Sequence, residues 1–216
     1  MNNKQLQTIS IFAFPVVLTI GIILIPVVTD YSDHHLAEQA VGQTVRWFSG
    51  HIISAIAFAL SILAVSSIDR HLQLSSRSLP VLTLPFITVG AGLYAAGLGA
   101  DGIGPVAVQS SGHSPVIFFD GSGLWVTGTF VAGTIVFGMG LLNVVVGSVQ
   151  LGLLRGWSRY ISFISVLVFM IAPMILSGWA LYGVAAASFG VFLPLAVAVK
   201  RDRNNNGNSF ATQSAS

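Results

Sequence analysis

Long apolar runs separated by short polar stretches set the layout of this chain. A helix needs about 20 mostly apolar residues to cross about 30 Å of hydrocarbon. That length can be laid along the sequence six times, over Ile9–Val28, Trp47–Ile68, Pro80–Ala100, Leu124–Leu154, 160–177 and 180–199. The last two share Tyr160–Val199 around a turn placed near Gly178–Trp179. Pro26 is expected to end or bend the first run, because proline has no N–H and clashes with the preceding turn. Pro80 stands where proline suits the start of a helix. The fourth run exceeds what a bilayer needs, so it is expected to tilt or project. The pattern predicts an all-α fold, a polytopic membrane helix bundle of six transmembrane helices.

The polar stretches between the runs hold the chemistry. Asp30–His51 (DYSDHHLAEQAVGQTVRWFSGH) carries Asp30, Asp33 and Glu38, three histidines, and Arg46. Within it Asp33–Arg46 reads as a helix capped by Ser32, with acids in its first turn, running on towards the second span. Asp101–Gly123 (DGIGPVAVQSSGHSPVIFFDGSG) is rich in Gly, Ser and Pro around an apolar VIFF. It reads as a long loop over one face, either a packed cover or a binding loop. Residues 201–216 are Asn- and Ser-rich and are expected to be a disordered tail. The first run is longer than the apolar core of a signal peptide and lacks a small-x-small exit, so it reads as a retained span.

Composition explains why the runs dominate. The chain is 54% apolar and 7% charged, where a soluble domain carries about 25% charged residues. A globule with so few charges could not cover itself, so lipid is its solvent. There is no cysteine, which excludes disulfides, thiolate metal sites and cysteine nucleophiles. With the N-terminus cytoplasmic, six spans put Lys4, Arg70, Arg77, Arg155, Arg159, Lys200, Arg201 and Arg203 inside and leave Arg46 alone outside. That asymmetry follows the positive-inside rule, puts both termini in the cytoplasm, and fits a multi-pass protein of the inner or plasma membrane. Nucleic acid is not an expected partner, for want of a basic patch. The expected partners are membrane lipids, other membrane subunits or further copies of the chain. The same topology makes the outer face acidic and rich in histidine.

Several residues are singled out on chemical grounds. Gly90, Gly92, Gly97 and Gly99 on the third span, and Gly133, Gly140 and Gly147 on the fourth, predict close packing between those two, since small residues let backbones approach in lipid. Thr127, Thr129, Thr134 and Asn143 can hydrogen-bond across helices. His34 and Glu38, one helical turn apart, can share a metal, with His113, Asp101 or Asp120 completing the site. His51 sits inside an apolar run with Trp47 one turn before it, so it is either functional or an interfacial residue. It is alone within the spans, which argues against a bis-histidine haem. Ser110, Ser111 and Ser114 beside His113 do not make a catalytic triad, and no GxSxG elbow, P-loop or EF-hand occurs. No motif specifies a cofactor.

At the end of the fourth span, LLRGWSRYISF joins a long helix through a short basic turn to a short helix pair. With the acidic first loop, this layout resembles uncharacterised multi-pass bacterial membrane families of similar length. The resemblance implies six helices and carries no activity. The leading reading is a membrane scaffold or accessory subunit binding lipid, pigment or partner helices without catalysis. Two others stay open. One is a membrane enzyme or metal-binding protein using His34, Glu38, His51 and His113 on the outer face. The other is a small-solute or proton-coupled transporter using Arg46, His51 and Asn143.

Overall fold

A computed structural model of the chain describes residues 3–75 and 82–213. Arg77 and Pro80 lie outside the described residues, as does the end of the tail. Among the described residues all regular structure is helical: α1 Asn3–Leu24, α2 His34–Val41, α3 Thr44–Ser75, α4 Thr83–Ser110, α5 Val116–Gln150, α6 Trp157–Ile171 and α7 Trp179–Gln213, with one 3-10 turn at Ala172–Met174. Five stretches are long and apolar enough to cross a membrane: Thr44–Arg70, Thr83–Ser110, Gly123–Gln150, Trp157–Met174 and Trp179–Arg201. The apolar part of α1, Ile9–Leu24, is shorter.

The long helices pack as a ring. Each of α1, α3, α4, α5, α6 and α7 packs on the next, and α7 returns to α1. Each contributes one buried aromatic to the axis: Phe14, Phe58, Tyr94, Phe137, Phe169 and Phe192. Phe14 meets Phe192 with centroids 5.0 Å apart, Phe58 meets Phe137 at 5.4 Å, and Phe137 meets Phe169 at 5.4 Å. The rings interlock largely edge to face, as aromatic quadrupoles favour.

The helix boundaries differ from the sequence pattern: α7 continues to Gln213, into the stretch expected as a disordered tail, and three further differences have a local reason. The first helix stops at Leu24 rather than Val28, because the residue before Pro26 is held out of the helical region. The helix expected over Asp33–Arg46 is broken. Asp33, not Ser32, caps α2 by accepting from the His35 N–H, and the chain turns at Gly42 and Gln43 before α3 begins at Thr44. The stretch expected as a loop, Asp101–Gly123, is mostly helix. Helix α4 runs to Ser110 and α5 starts at Val116, so only Ser111–Pro115 connects them.

That last correction turns on Pro105, which lies inside α4. A proline in a helix leaves the carbonyl four residues earlier without its donor, here Asp101. The indole Nε1 of Trp47 donates to that carbonyl oxygen at 2.8 Å from α3. The same device recurs at Pro194 in α7, where the Ser162 hydroxyl of α6 donates to the freed Gly190 carbonyl at 3.4 Å. In lipid a neighbouring helix must satisfy such groups, since water cannot.

The α4–α5 pair is as close as its glycines predict. A Cβ on Gly90 would stand 2.4 Å from the Phe137 nitrogen, and one on Gly140 would stand 3.0 Å from the Ile87 nitrogen. Gly92, Gly99 and Gly128 face open space instead.

Candidate functional site

The polar end of the bundle is built around α2. Its inner face, Ala37, Ala40 and Val41, packs with Val28 and Trp47, and Leu36, Tyr31, Val106 and Phe119 close the edges. The chain entering α2 is pinned to the turn before α7, with the Tyr31 N–H donating to Leu176 at 3.0 Å and the Gly178 N–H donating to Val28 at 2.6 Å. Burial, and then the negative charge of Asp101, push the Tyr31 phenol up.

The outer edge of α2 is held by polar pairs to the α4–α5 connection. His34 Nδ1 lies 2.5 Å from Oδ1 of Asp120 on α5. The Ser114 hydroxyl donates to Glu38 at 2.5 Å, and His35 Nδ1 lies 3.4 Å from the other Glu38 oxygen. Those two contacts, Ser114 first, hold the Glu38 carboxyl below its ordinary range. Asp30 is lowered likewise, by the Ser32 hydroxyl and then the Ser32 N–H. His113 lies 3.1 Å from the Ser111 hydroxyl. Among the described residues no three His, Asp or Glu side chains gather in a way that could hold a metal. His34 and Glu38 share a face of α2, but each engages a different partner.

Arg46 is exposed and turns outward. It donates to the Gln43 side chain at 2.8 Å and to the Ile23 carbonyl at 3.5 Å. That carbonyl is one of those left over where α1 stops, so the arginine caps a helix end. Asn143 is half-buried on α5 with no hydrogen-bond partner among the described residues.

His51 and Asp101 form the buried contact of this end. His51 is 2% exposed, and its Nε2 lies 3.2 Å from Oδ2 of Asp101. Its Nδ1 donates to the Trp47 carbonyl at 2.7 Å, the ordinary i−4 acceptor of its own helix. The Trp47 ring lies over it, with centroids 4.5 Å apart. Gly102 makes the approach possible, because a Cβ there would stand 2.7 Å from the His51 Cβ. Trp47 thus engages Asp101 through its indole and His51 through its carbonyl, while its ring lies under α2.

Both residues of this pair stand out in the sequence, but their pairing does not, because Asp101 reads there as part of a loop. The aromatic axis has its own signal in the sequence: each apolar run carries one of the six rings well inside its length.

No protein-family model, curated protein or solved structure matches the chain. Its class therefore rests on its own helices, whose length and apolar composition are those of a membrane-embedded helical protein.

Proposed function

We propose that the protein is an integral membrane scaffold or accessory subunit of an inner or plasma membrane. It crosses the bilayer six times, with both termini cytoplasmic, and works by binding lipid or partner helices rather than by catalysis. The observation that carries this reading is the aromatic axis. Six interlocked rings, one from each long helix, fill the middle of the bundle, so recognition falls to the outward faces. Those faces are apolar and broad: on α6 Ile161, Ile164, Leu167 and Ile171 are all exposed. Of the eight described Lys and Arg, all but Arg46 belong to helix ends away from α2, which supports the assigned sidedness.

A metal-binding or catalytic role at the α2 end is the second reading. It is favoured by the His34–Asp120 contact, which brings two ligand-type side chains together from separate helices. One preparation tests both. Protein extracted from membranes in mild detergent is examined by native mass spectrometry, metal analysis and absorption. A second subunit, a further copy or retained lipid in stoichiometric amount is the result expected for a scaffold. A stoichiometric metal lost on His34→Ala, with no bound subunit or lipid, would replace it with the second reading.

A further inference from the structure

Hydrogen-bond valence determines how many protons the His51–Asp101 contact holds. A backbone carbonyl can only accept, so His51 Nδ1, 2.7 Å from the Trp47 oxygen, carries a hydrogen. If Nε2 were bare and Asp101 ionised, two acceptors would face each other at 3.2 Å. The contact is attractive only when one more proton lies between them, on Nε2 or on Oδ2. In either arrangement the pair has no net charge.

We propose that His51 and Asp101 form a proton-binding site that loads from, and releases to, the solution on the α2 side of the bundle. This goes beyond a scaffold role and does not depend on it. The carboxylate is the wet end: the Asp101 side chain is 17% exposed and that of His51 3%. On the other side the way is closed. Seven residues on along α3 and seven back along α4, Phe58 and Tyr94 stack at 4.1 Å. The Tyr94 hydroxyl there is already paired with Thr134 at 2.5 Å. The Ser54 hydroxyl, one turn on along α3 and unpartnered among the described residues, lies towards Gly21 of α1. The aromatic stack thus closes the path between α3 and α4, and a proton reaching the pair returns the way it came.

Few charged or titratable groups face the pair from the elements packed around it. On the segment before α2, Tyr31 feels the Asp101 charge. On α2 and α5, His34, His35, Glu38 and Asp120 are engaged with one another or with Ser114 at the exposed edge. Arg46, on the same helix as His51, pairs outward with Gln43. The only charged residue of α1 is Lys4, at its opposite end. An ion pair in this position brings little stability over apolar residues of the same size, and an ionisable group at membrane depth is expected to have a function. Loss of the proton sets two acceptors against each other beneath Trp47, on which α2 rests.

Trp47 supplies the reporter, because protonated imidazole quenches an indole in contact with it, and the two ring centroids are 4.5 Å apart. Trp125, Trp157 and Trp179 are replaced by Phe, leaving Trp47 as the one tryptophan of the four. The full chain in lipid nanodiscs is then titrated from about pH 4 to about pH 10, a range that spans the ordinary carboxylate and imidazole values. A single one-proton step in emission is expected, absent in His51→Gln. In Asp101→Asn the step should be displaced, because one of the two atoms that share the proton is lost. A step that survives His51→Gln, or flat emission with helicity intact, overturns the proposal. If His51→Gln does not fold, an unchanged midpoint in Asp101→Asn overturns it instead. In sealed vesicles the step should follow the pH of the compartment from which a thiol at Ser111→Cys is labelled. Dependence on the other compartment overturns the sidedness.

Discussion

Phe58 and Tyr94 stack face to face at 4.1 Å, with planes 10° apart, seven residues along α3 and α4 from the His51–Asp101 contact. The same two helices thus pass from a proton-sharing polar pair to a dry aromatic pair in about 10 Å of rise. An aromatic pair of this kind contributes about 0.5–1.5 kcal/mol beyond the area it buries. A double-mutant cycle of Phe58→Leu and Tyr94→Leu, read by reversible denaturation in micelles, should show a coupling within that range. Additive single effects would mean that the stack adds only area.

Trp47 and Pro105 are linked through the Asp101 carbonyl, which one frees and the other satisfies. Trp47→Phe keeps the ring but removes the donor, and a buried acceptor left alone costs about 1–3 kcal/mol. Pro105→Ala in the same chain supplies a helical N–H to that carbonyl. The double variant should recover most of the loss. If Trp47→Phe is equally destabilising in both backgrounds, the indole acts through packing alone.

Gly90 and Gly92 test the α4–α5 interface against its own control. A side chain at Gly90 runs into the Phe137 backbone, whereas Gly92 faces open space. Gly90→Leu should separate the two helices, costing at least the roughly 1–3 kcal/mol of ordinary overpacking, because backbone cannot move aside as a side chain can. Gly92→Leu should be close to neutral. Thermal unfolding of the two variants side by side reads the difference.

Much of this was legible in the residues, and what was not has a common cause. The membrane class follows from 7% charged residues, and the early end of α1 follows from Pro26. The helical pairing of residues 101–110 with 116–123 did not follow, because Gly, Ser and Pro there carry the signature of a loop. Helix won since Trp47, 54 residues away, completes the bond that Pro105 leaves open. Local propensity knows nothing of a donor on another helix. The same blindness hid the His51–Asp101 contact: each residue was a candidate alone, and only the continuation of α4 brings them together.

Glu38 gives the outer edge of α2 an acid dependence of definite sign. Its carboxyl is held below the ordinary 4.5 by Ser114 and then His35. A depressed carboxyl stabilises the folded form where it is ionised, so the contribution is complete above the unfolded value and fades as pH falls through the folded one. Amide exchange of α2 should therefore quicken as pH is lowered below about 4.5, after correction for intrinsic rates. Ser114→Ala removes the larger cause, so the transition should move to higher pH. Glu38→Gln should abolish it.

The number of crossings turns on α1. Its apolar part, Ile9–Leu24, has 16 residues, about 24 Å of helix against about 30 Å of hydrocarbon. The four residues from Ile25 to Val28, which are non-helical with Ile25 and Val28 buried, can add up to about 13 Å. The last of their carbonyls, that of Val28, accepts from the Gly178 N–H. Helix plus extended chain is therefore long enough to cross. The chain has no cysteine, so each introduced thiol is the only one and reports its side without background. With six crossings, Ser32→Cys and Ser111→Cys should react with an impermeant maleimide from the outer side, and Asn3→Cys and Arg159→Cys only after the membrane is opened. If Asn3→Cys instead reacts together with Ser32→Cys, α1 lies along the surface, the chain crosses five times, and Lys4 stands as a second exception to the charge rule beside Arg46.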